Sequence, residues 1–300
     1  MSTLTTLMDS DLFDTILEPV SYTTWPSENY ITDWKTFSKR IRSSNRRLLH
    51  RLDNFPNSIL VTGCQRSGTT LLSRIIVQSK GTVNYWFSPD DELDAALILS
   101  GYVNHIPHGR YCFQITYLNE RYHEILNHKD GHKLLWVLRN PWSVVYSMLH
   151  NWNGAALDEL FLNCGAPVLH GMDDLLFRAV GLRGILPLRR ACWAYCGKML
   201  QLIDLSESLN KNELLVVDYD QLVTVPNRVL PNIYNFVSLD YEPEYSAPIH
   251  SKSIEKRNAF SSRETTIISA ICNQAFTRAK ELAQILRSGT GEERVSYERG

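Results

Sequence analysis

The sequence predicts an α/β fold: a mainly parallel central sheet covered by helices on both faces. Three observations lead there. Short apolar, β-branched runs alternate with longer helical stretches along most of the chain. One of those runs, "SILVTG" (58–63), passes through a glycine-rich turn directly into a helix. Another, "HKLLWVLR" (132–139), is apolar without alternation, as strands buried on both faces are.

The elements follow in order. Residues 1–57 read as an N-terminal helical extension packed on the domain. Within it, "KTFSKRIRSSNRRLLHR" (35–51) carries seven Lys/Arg and reads as a helix with a solvated basic face. After the 58–63 strand, "GTTLLSRIIVQS" is a helix with Leu71, Leu72, Ile75 and Ile76 on one side. "RYCFQITYL" (110–118) and "HKLLWVLR" are the next strands. "NPWSVVYSMLHNW" (140–152) starts a helix, with Asn140 as N-cap and Pro141 at the first helical position. Residues 154–187, broken by five glycines and two prolines, read as a lid of surface loop and short helices. A helix over 189–209 precedes a fourth strand, "NELLVVDYD" (212–220). A helix over 225–239 is interrupted or restarted at Pro231. Ser262 caps a long helix over 261–286, and a polar tail closes the chain. The main domain spans 58–287 and the tail 288–300.

Hydrophobic residues make up 44% of the 300 and charged residues 21%, an ordinary globular balance. A net charge of -1 provides no global field to recruit nucleic acid or a membrane, so an anion site has to be local. Six scattered cysteines without a CxxC pair read as reduced thiols, and Cys64, inside the glycine turn, as a packed side chain. The acidic N-terminus lacks the basic region of a secretory signal. No run approaches the ~20 apolar residues of a membrane span. The expected location is cytoplasmic.

The turn "VTGCQRSGTTLL" (61–72) places Gly63 and Gly68 around Gln65, Arg66 and Ser67, with Thr69 and Thr70 opening the helix. Such a turn presents backbone N–H groups and a helix N-terminus, both of which attract a phosphate-like oxyanion. Arg66 adds a forked cation, and the hydroxyls of Ser67, Thr69 and Thr70 add donors. This makes the fold P-loop-like, in three layers. A triphosphate loop needs Lys after its second glycine, and here Thr69 stands there. "VLRNPWSVVYSMLHNW" places Arg139 at a strand's C-terminal end, where ligands of parallel sheets bind. Ser147 follows two helical turns on, sharing a face with Ser143 and Asn151. Two separate anion pockets imply a ligand with two phosphate-like groups. A P-loop kinase of a nucleoside or small metabolite is one alternative, opposed by Thr69; a catalytically inactive nucleotide-binding protein is another.

"GCQRSGTTLL" resembles the 5′-phosphosulfate loop of the sulfotransferase family, and "LRNPWSVVYS" its 3′-phosphate motif. "LLVVDYDQLVTVP" and "SKSIEKRNAF" (251–260) are similar, less specifically, to later segments. The resemblance implies the donor 3′-phosphoadenosine 5′-phosphosulfate (PAPS), with the nucleotide product PAP. It implies in-line transfer of SO₃ to a hydroxyl or amine with no obligatory metal. Carried over, Gln65–Thr70 hold the phosphosulfate and Arg66 stabilises the leaving oxygen. Arg139 and Ser147 grip the 3′-phosphate, and Lys256 and Arg257 are further nucleotide contacts. The family's strand Lys-Thr-His is missing, since "ITYLN" stands there. By resemblance to tyrosylprotein-type members, the base is Asp91 or Glu92, with Asp90 third; His105 and His108 are alternatives. Asn151 replaces a further 3′-phosphate Arg of some members. The expected acceptor is a small metabolite of the natural-product kind, such as an alkaloid or alcohol, because no strongly basic surface suits an acidic polysaccharide or acidic peptide. Its pocket is expected from the 154–187 lid and the 83–102 stretch, with Trp86, Phe87, Tyr102, Phe161 and Phe177. A homodimer is compatible with this reading.

Overall fold

The computed structural model describes residues 23–24, 30–128, 131–250 and 256–288. The acidic N-terminal stretch, the first five residues of the 251–260 segment and the tail from 289 lie outside the described residues.

Strand β1 (Thr23–Thr24) precedes helix α1 (Trp34–Ser44), which starts where the Asp33 carboxylate accepts the Thr36 N–H at 2.9 Å. Strand β2 (Ile59–Gly63) turns through the glycine loop into α2 (Thr69–Val77). Helix α3 (Asp91–Ser100) is capped by Asp90, which accepts the Leu93 N–H at 3.0 Å. The two-residue β3 (Asn104–His105) pairs antiparallel with β1. Then come β4 (Cys112–Gln114) and β5 (Lys133–Leu138). Helix α4 (Pro141–His150) has the cap its sequence predicts: Asn140 Oδ1 accepts the Ser143 N–H at 2.8 Å, with Pro141 in the first turn. Helices α5 (Gly154–Leu160), α6 (Gly171–Val180) and α7 (Pro187–Ser208) lead to β6 (Leu214–Asp218). The chain continues through α8 (Tyr219–Thr224), α9 (Pro226–Phe236) and α10 (Ser262–Ser288).

The main sheet has the order β4-β2-β5-β6, and every pair is parallel. Leu60 lies opposite both Phe113 and Leu134, and Leu134 opposite Leu214. All five residues of β2 are buried, as the unalternating run requires. Helices flank the sheet, with α7 packed on α4 and α10. Because the strands are parallel, Gly63, Gln114, Leu138 and Asp218 all finish at one end of the sheet. The segments that leave those ends therefore converge: the glycine loop, the chain after Gln114, Arg139 and Tyr219.

Five expectations are corrected. The 110–118 strand contracts to three residues, because the chain leaves the sheet at Ile115 into 3₁₀ turns over Thr116–Asn127, kinked at Asn119 with φ 44°. The 154–187 segment has the expected short helices but less loop than expected. It is largely helical, and a π-turn over Phe161–Gly165 buries Phe161 and Cys164 against α7. That approach requires Gly197, where an added Cβ would stand 1.9 Å from the Cys164 carbonyl oxygen. Pro231 lies inside the single helix α9 rather than ending it. The cap of α10 is Ser261, not Ser262. Its N–H donates to the Glu264 carboxylate at 2.9 Å and its Oγ accepts the Glu264 N–H at 3.3 Å, a reciprocal capping box. Finally, the helix of the basic 35–51 segment stops at Ser44; the segment's basic face is solvated as expected, with Lys35, Lys39, Arg42 and Arg47 exposed, while its other side is not. Phe37, Ile41, Leu48 and Leu49 enter the core, and Arg46 donates to the Ser100 and Gly101 carbonyls at 3.2 and 3.0 Å, tying the segment to the end of α3.

Candidate active site

The glycine loop carries its anion-binding features in strained but defined geometry. Gly68 sits at φ 100°, where a Cβ would be 2.0 Å from the Tyr219 ring. Only glycine lets the loop pass beneath Tyr219 and start α2 there. No side chain caps α2, so its first N–H groups are left for a ligand. Arg66, also at positive φ (71°), turns its side chain across the loop and donates through Nε to Ser147 Oγ at 3.0 Å.

Arg139 extends from the end of β5 and is 7% exposed. Its Nη1 donates to the Arg66 carbonyl at 3.2 Å, and its guanidinium lies over the Tyr219 ring, 4.4 Å from the centroid. The Tyr195 hydroxyl holds the Arg139 carbonyl at 2.9 Å. Burial lowers the pKa of both arginines, and the charge of Arg139 lowers that of Arg66 further. Two guanidinium groups thus face one space, and Arg66 has no carboxylate partner among the described residues. The two anion pockets expected from the sequence are one: the Arg66–Ser147 bond joins them.

That space is a cavity of about 740 Å³. Arg66, Gly68, Thr69, Thr70, Arg139 and Ser147 line its cationic part, with Asn151 nearby. Trp34, Phe37, Ile41, Tyr117, Trp152 and Leu160 line an apolar part. Helix α1, the turns after β4 and, from the 154–187 segment as expected, helix α5 therefore build this wall, with Trp152 just before it. Trp86, Phe87, Tyr102, Phe161 and Phe177 do not line the cavity and pack in or on the core instead. Trp34 is oriented by its Nε1, which donates to Asp90 Oδ2 at 2.8 Å, and by the Tyr117 ring at 5.6 Å. The apolar spacing of Trp34, Phe37 and Ile41 was the available signal for this wall, and the basic residues between them obscured it.

The carboxylates of α3 separate by position. Glu92 lines the cavity, accepting Gln114 Nε2 at 2.8 Å and the Thr116 hydroxyl. Burial, reinforced by Asp90 and Asp91 and opposed by the Thr116 bond and Lys198, pushes its pKa up to about 7. Asp91 does not line the cavity and is held by Arg74 Nη2 at 3.1 Å; burial raises its pKa despite that partner. Asp90 is committed to the helix cap and to Trp34. His105 is buried away from the cavity between Thr23 and Tyr111, and burial lowers its pKa to about 4. His108 accompanies it on the Tyr111 hydroxyl at 2.8 Å.

The remaining candidates fall in different places. Gln65 lines the cavity, but its amide donates to the Thr116 carbonyl at 3.0 Å and Asn119 Oδ1 at 2.8 Å. Ser67 lies beneath the loop: its N–H donates to the Cys64 carbonyl at 3.0 Å, and its Oγ is buried without a partner. Lys256 lies over the Tyr146 ring and Arg257 over Trp142, at 5.3 and 4.8 Å, and neither lines the cavity. Cys64 is fully buried and its thiol pKa is pushed up by burial, as a packed, unreactive side chain requires. Among the described residues no helix is long and apolar enough to cross a membrane.

Fold and site together define an α/β protein of the phosphate-loop kind, with its anion loop built on arginine. Residues 56–293 match the family described as the sulfotransferase domain. The chain belongs to that family and is a sulfotransferase. A search of the curated proteins found no match. Among solved structures, the chain is similar to the sulfotransferase domain from the curacin biosynthetic pathway, with 15% identity and a TM-score of 0.46, covering 78% of this chain and 97% of that one. The sulfotransferase domain from the Synechococcus PCC 7002 olefin synthase is similar at 15% identity and TM-score 0.46, covering 76% and 95%. Mouse sulfotransferase SULT7A1 complexed with PAP is similar at 16% identity and TM-score 0.44, covering 82% and 94%.

Proposed function

We propose that this sulfotransferase moves a sulfuryl group from PAPS to a hydroxyl or amine of a small, largely apolar acceptor. The observation that carries this reading is the joined cluster of Arg66, Arg139 and Ser147 at the uncapped start of α2, opening onto an aromatic wall. The donor set fits an extended polyanion, because it consists of N–H, guanidinium and hydroxyl groups and places two cations side by side. Arg66 and the Thr69–Thr70 turn would hold the 5′-phosphosulfate, and Arg139 with Ser147 the 3′-phosphate. When bound, the donor supplies an activated sulfuryl group. Arg66 then stabilises the charge that builds on the leaving oxygen. Fixed donors aimed at such charge are commonly the largest catalytic contribution. Glu92 is the base: it lines the cavity, and a carboxylate tuned near neutrality both accepts a proton and remains ionised enough to do so. Asp91, tied to Arg74, holds the start of α3 in place.

The test is transfer of radiolabelled sulfate from PAPS to a panel of phenols, alcohols and amines. The parent chain is expected to label at least one class. Arg66→Ala is expected to lose ~10²- to 10³-fold in kcat while sparing much of the PAP binding. Donor binding without transfer to any acceptor, or full activity in Arg66→Ala, would contradict the reading.

A further inference from the structure

Helix α7 buries a cation that lies outside the cavity lining. Lys198 is 1% exposed, surrounded along the helix by buried Ala194, Tyr195, Met199 and Leu202. Its Nζ makes one hydrogen bond, to the Thr116 carbonyl at 3.3 Å, and it has no carboxylate partner among the described residues. An ammonium in such a place is costly unless its charge acts on something.

What it acts on is one residue away. The Thr116 carbonyl accepts twice, from Gln65 Nε2 at 3.0 Å and, from outside the cavity lining, from Lys198, so its position is fixed. On its other side, the Thr116 hydroxyl donates to Glu92. The further direct donor to Glu92, Gln114, is neutral. The charged and titratable groups around Glu92 are Asp90 and Asp91 on its own helix, Tyr117 beyond β4, Lys198 from α7, and, lining the same cavity, Arg66, Arg74 and Arg139 with Arg42, Glu120, Arg121 and Glu159. Asp90 and Asp91 oppose ionisation of Glu92, and Arg74 is engaged with Asp91. Arg66 and Arg139 face the proposed donor, whose own negative charge offsets theirs. Lys198 does not line the cavity, so a bound anion leaves its charge in place.

We propose that Lys198 is a positioning residue for the reaction, fixing the Thr116 peptide under Glu92 and favouring the ionised carboxylate there. The proposal rests on Glu92 being the base, and the two are separable by experiment. The full chain, labelled with ¹³C at glutamate carboxyls, is titrated by NMR with and without saturating PAP; the signal missing from Glu92→Gln identifies Glu92. The parent midpoint is expected near 7. In Lys198→Met it is expected to rise by about one pH unit, with and without PAP, and PAP affinity is expected to stay within about twofold. An unmoved midpoint in a folded Lys198→Met or Lys198→Gln variant overturns the proposal. So does failure of both neutral variants to fold while Lys198→Arg folds, since Lys198 then serves only the fold. If Glu92→Gln transfers sulfate at the parent rate, Glu92 is not the base and a positioning role for Lys198 in the reaction falls with it, whatever the titration shows.

Discussion

Glu92, the proposed base, is expected to set the pH behaviour of the site. Its pKa in the folded chain, about 7, lies above the ordinary 4.5. The folded state therefore retains a proton that the unfolded chain releases. The stability contributed by this group is fully present below about pH 4.5 and is lost as pH rises through 7. With Glu92 as the proposed base, catalysis is expected to have the opposite slope, because the base must be ionised. Glu92→Gln is expected to lower the kcat plateau by ~10²- to 10⁴-fold. Compared with the parent, it should also lack the decline in melting temperature between about pH 5 and pH 7. Paired pH–rate and pH–melting profiles check both. Much of the site was legible at this scale: Arg66, Thr70, Arg139 and Ser147 lie in two local motifs, and local spacing survives folding. Lys256 and Arg257 follow a resemblance alone, and they stack on Tyr146 and Trp142 instead of lining the cavity.

At the scale of elements, α1 changes most between sequence and structure. Its composition announces a basic, solvated helix, yet Trp34, Phe37 and Ile41 form one wall of the cavity. Charge dominated the reading because the apolar stripe is narrow and its partner, the kinked run after β4, is not predictable from local propensity. The same limit explains the 110–118 strand. β-Branched and aromatic residues favour extension, but the chain leaves the sheet at Ile115, so Thr116 reaches Glu92. The role of α1 has a direct consequence. Trp34→Ala should raise the acceptor KM roughly tenfold or more, since truncating a large aromatic wall removes a few kcal/mol of contact. The donor KM should stay within about twofold. Steady-state kinetics with each substrate varied in turn distinguish this from a general loss of structure, which would weaken both.

For the whole molecule, the parallel order β4-β2-β5-β6 is what makes one site from distant motifs. Arg66 and Ser147 are 81 residues apart and share a hydrogen bond because β2 and β5 are neighbours ending at the same level. The alternation of strands and helices made that topology legible. The depth at which Lys198 and Tyr219 approach the site was not, because it depends on how α7 and α8 dock. The central claim is that the arginine-built cavity recognises a nucleotide by its second phosphate. The measurement that tests it most directly is calorimetric titration with adenosine 3′,5′-bisphosphate and with adenosine 5′-monophosphate, repeated on Arg139→Ala. The bisphosphate is expected to bind at least about tenfold more tightly, as one charge-assisted contact supplies, and Arg139→Ala is expected to erase most of that difference. Equal affinity for the two nucleotides, or a preference that survives Arg139→Ala, would contradict the account.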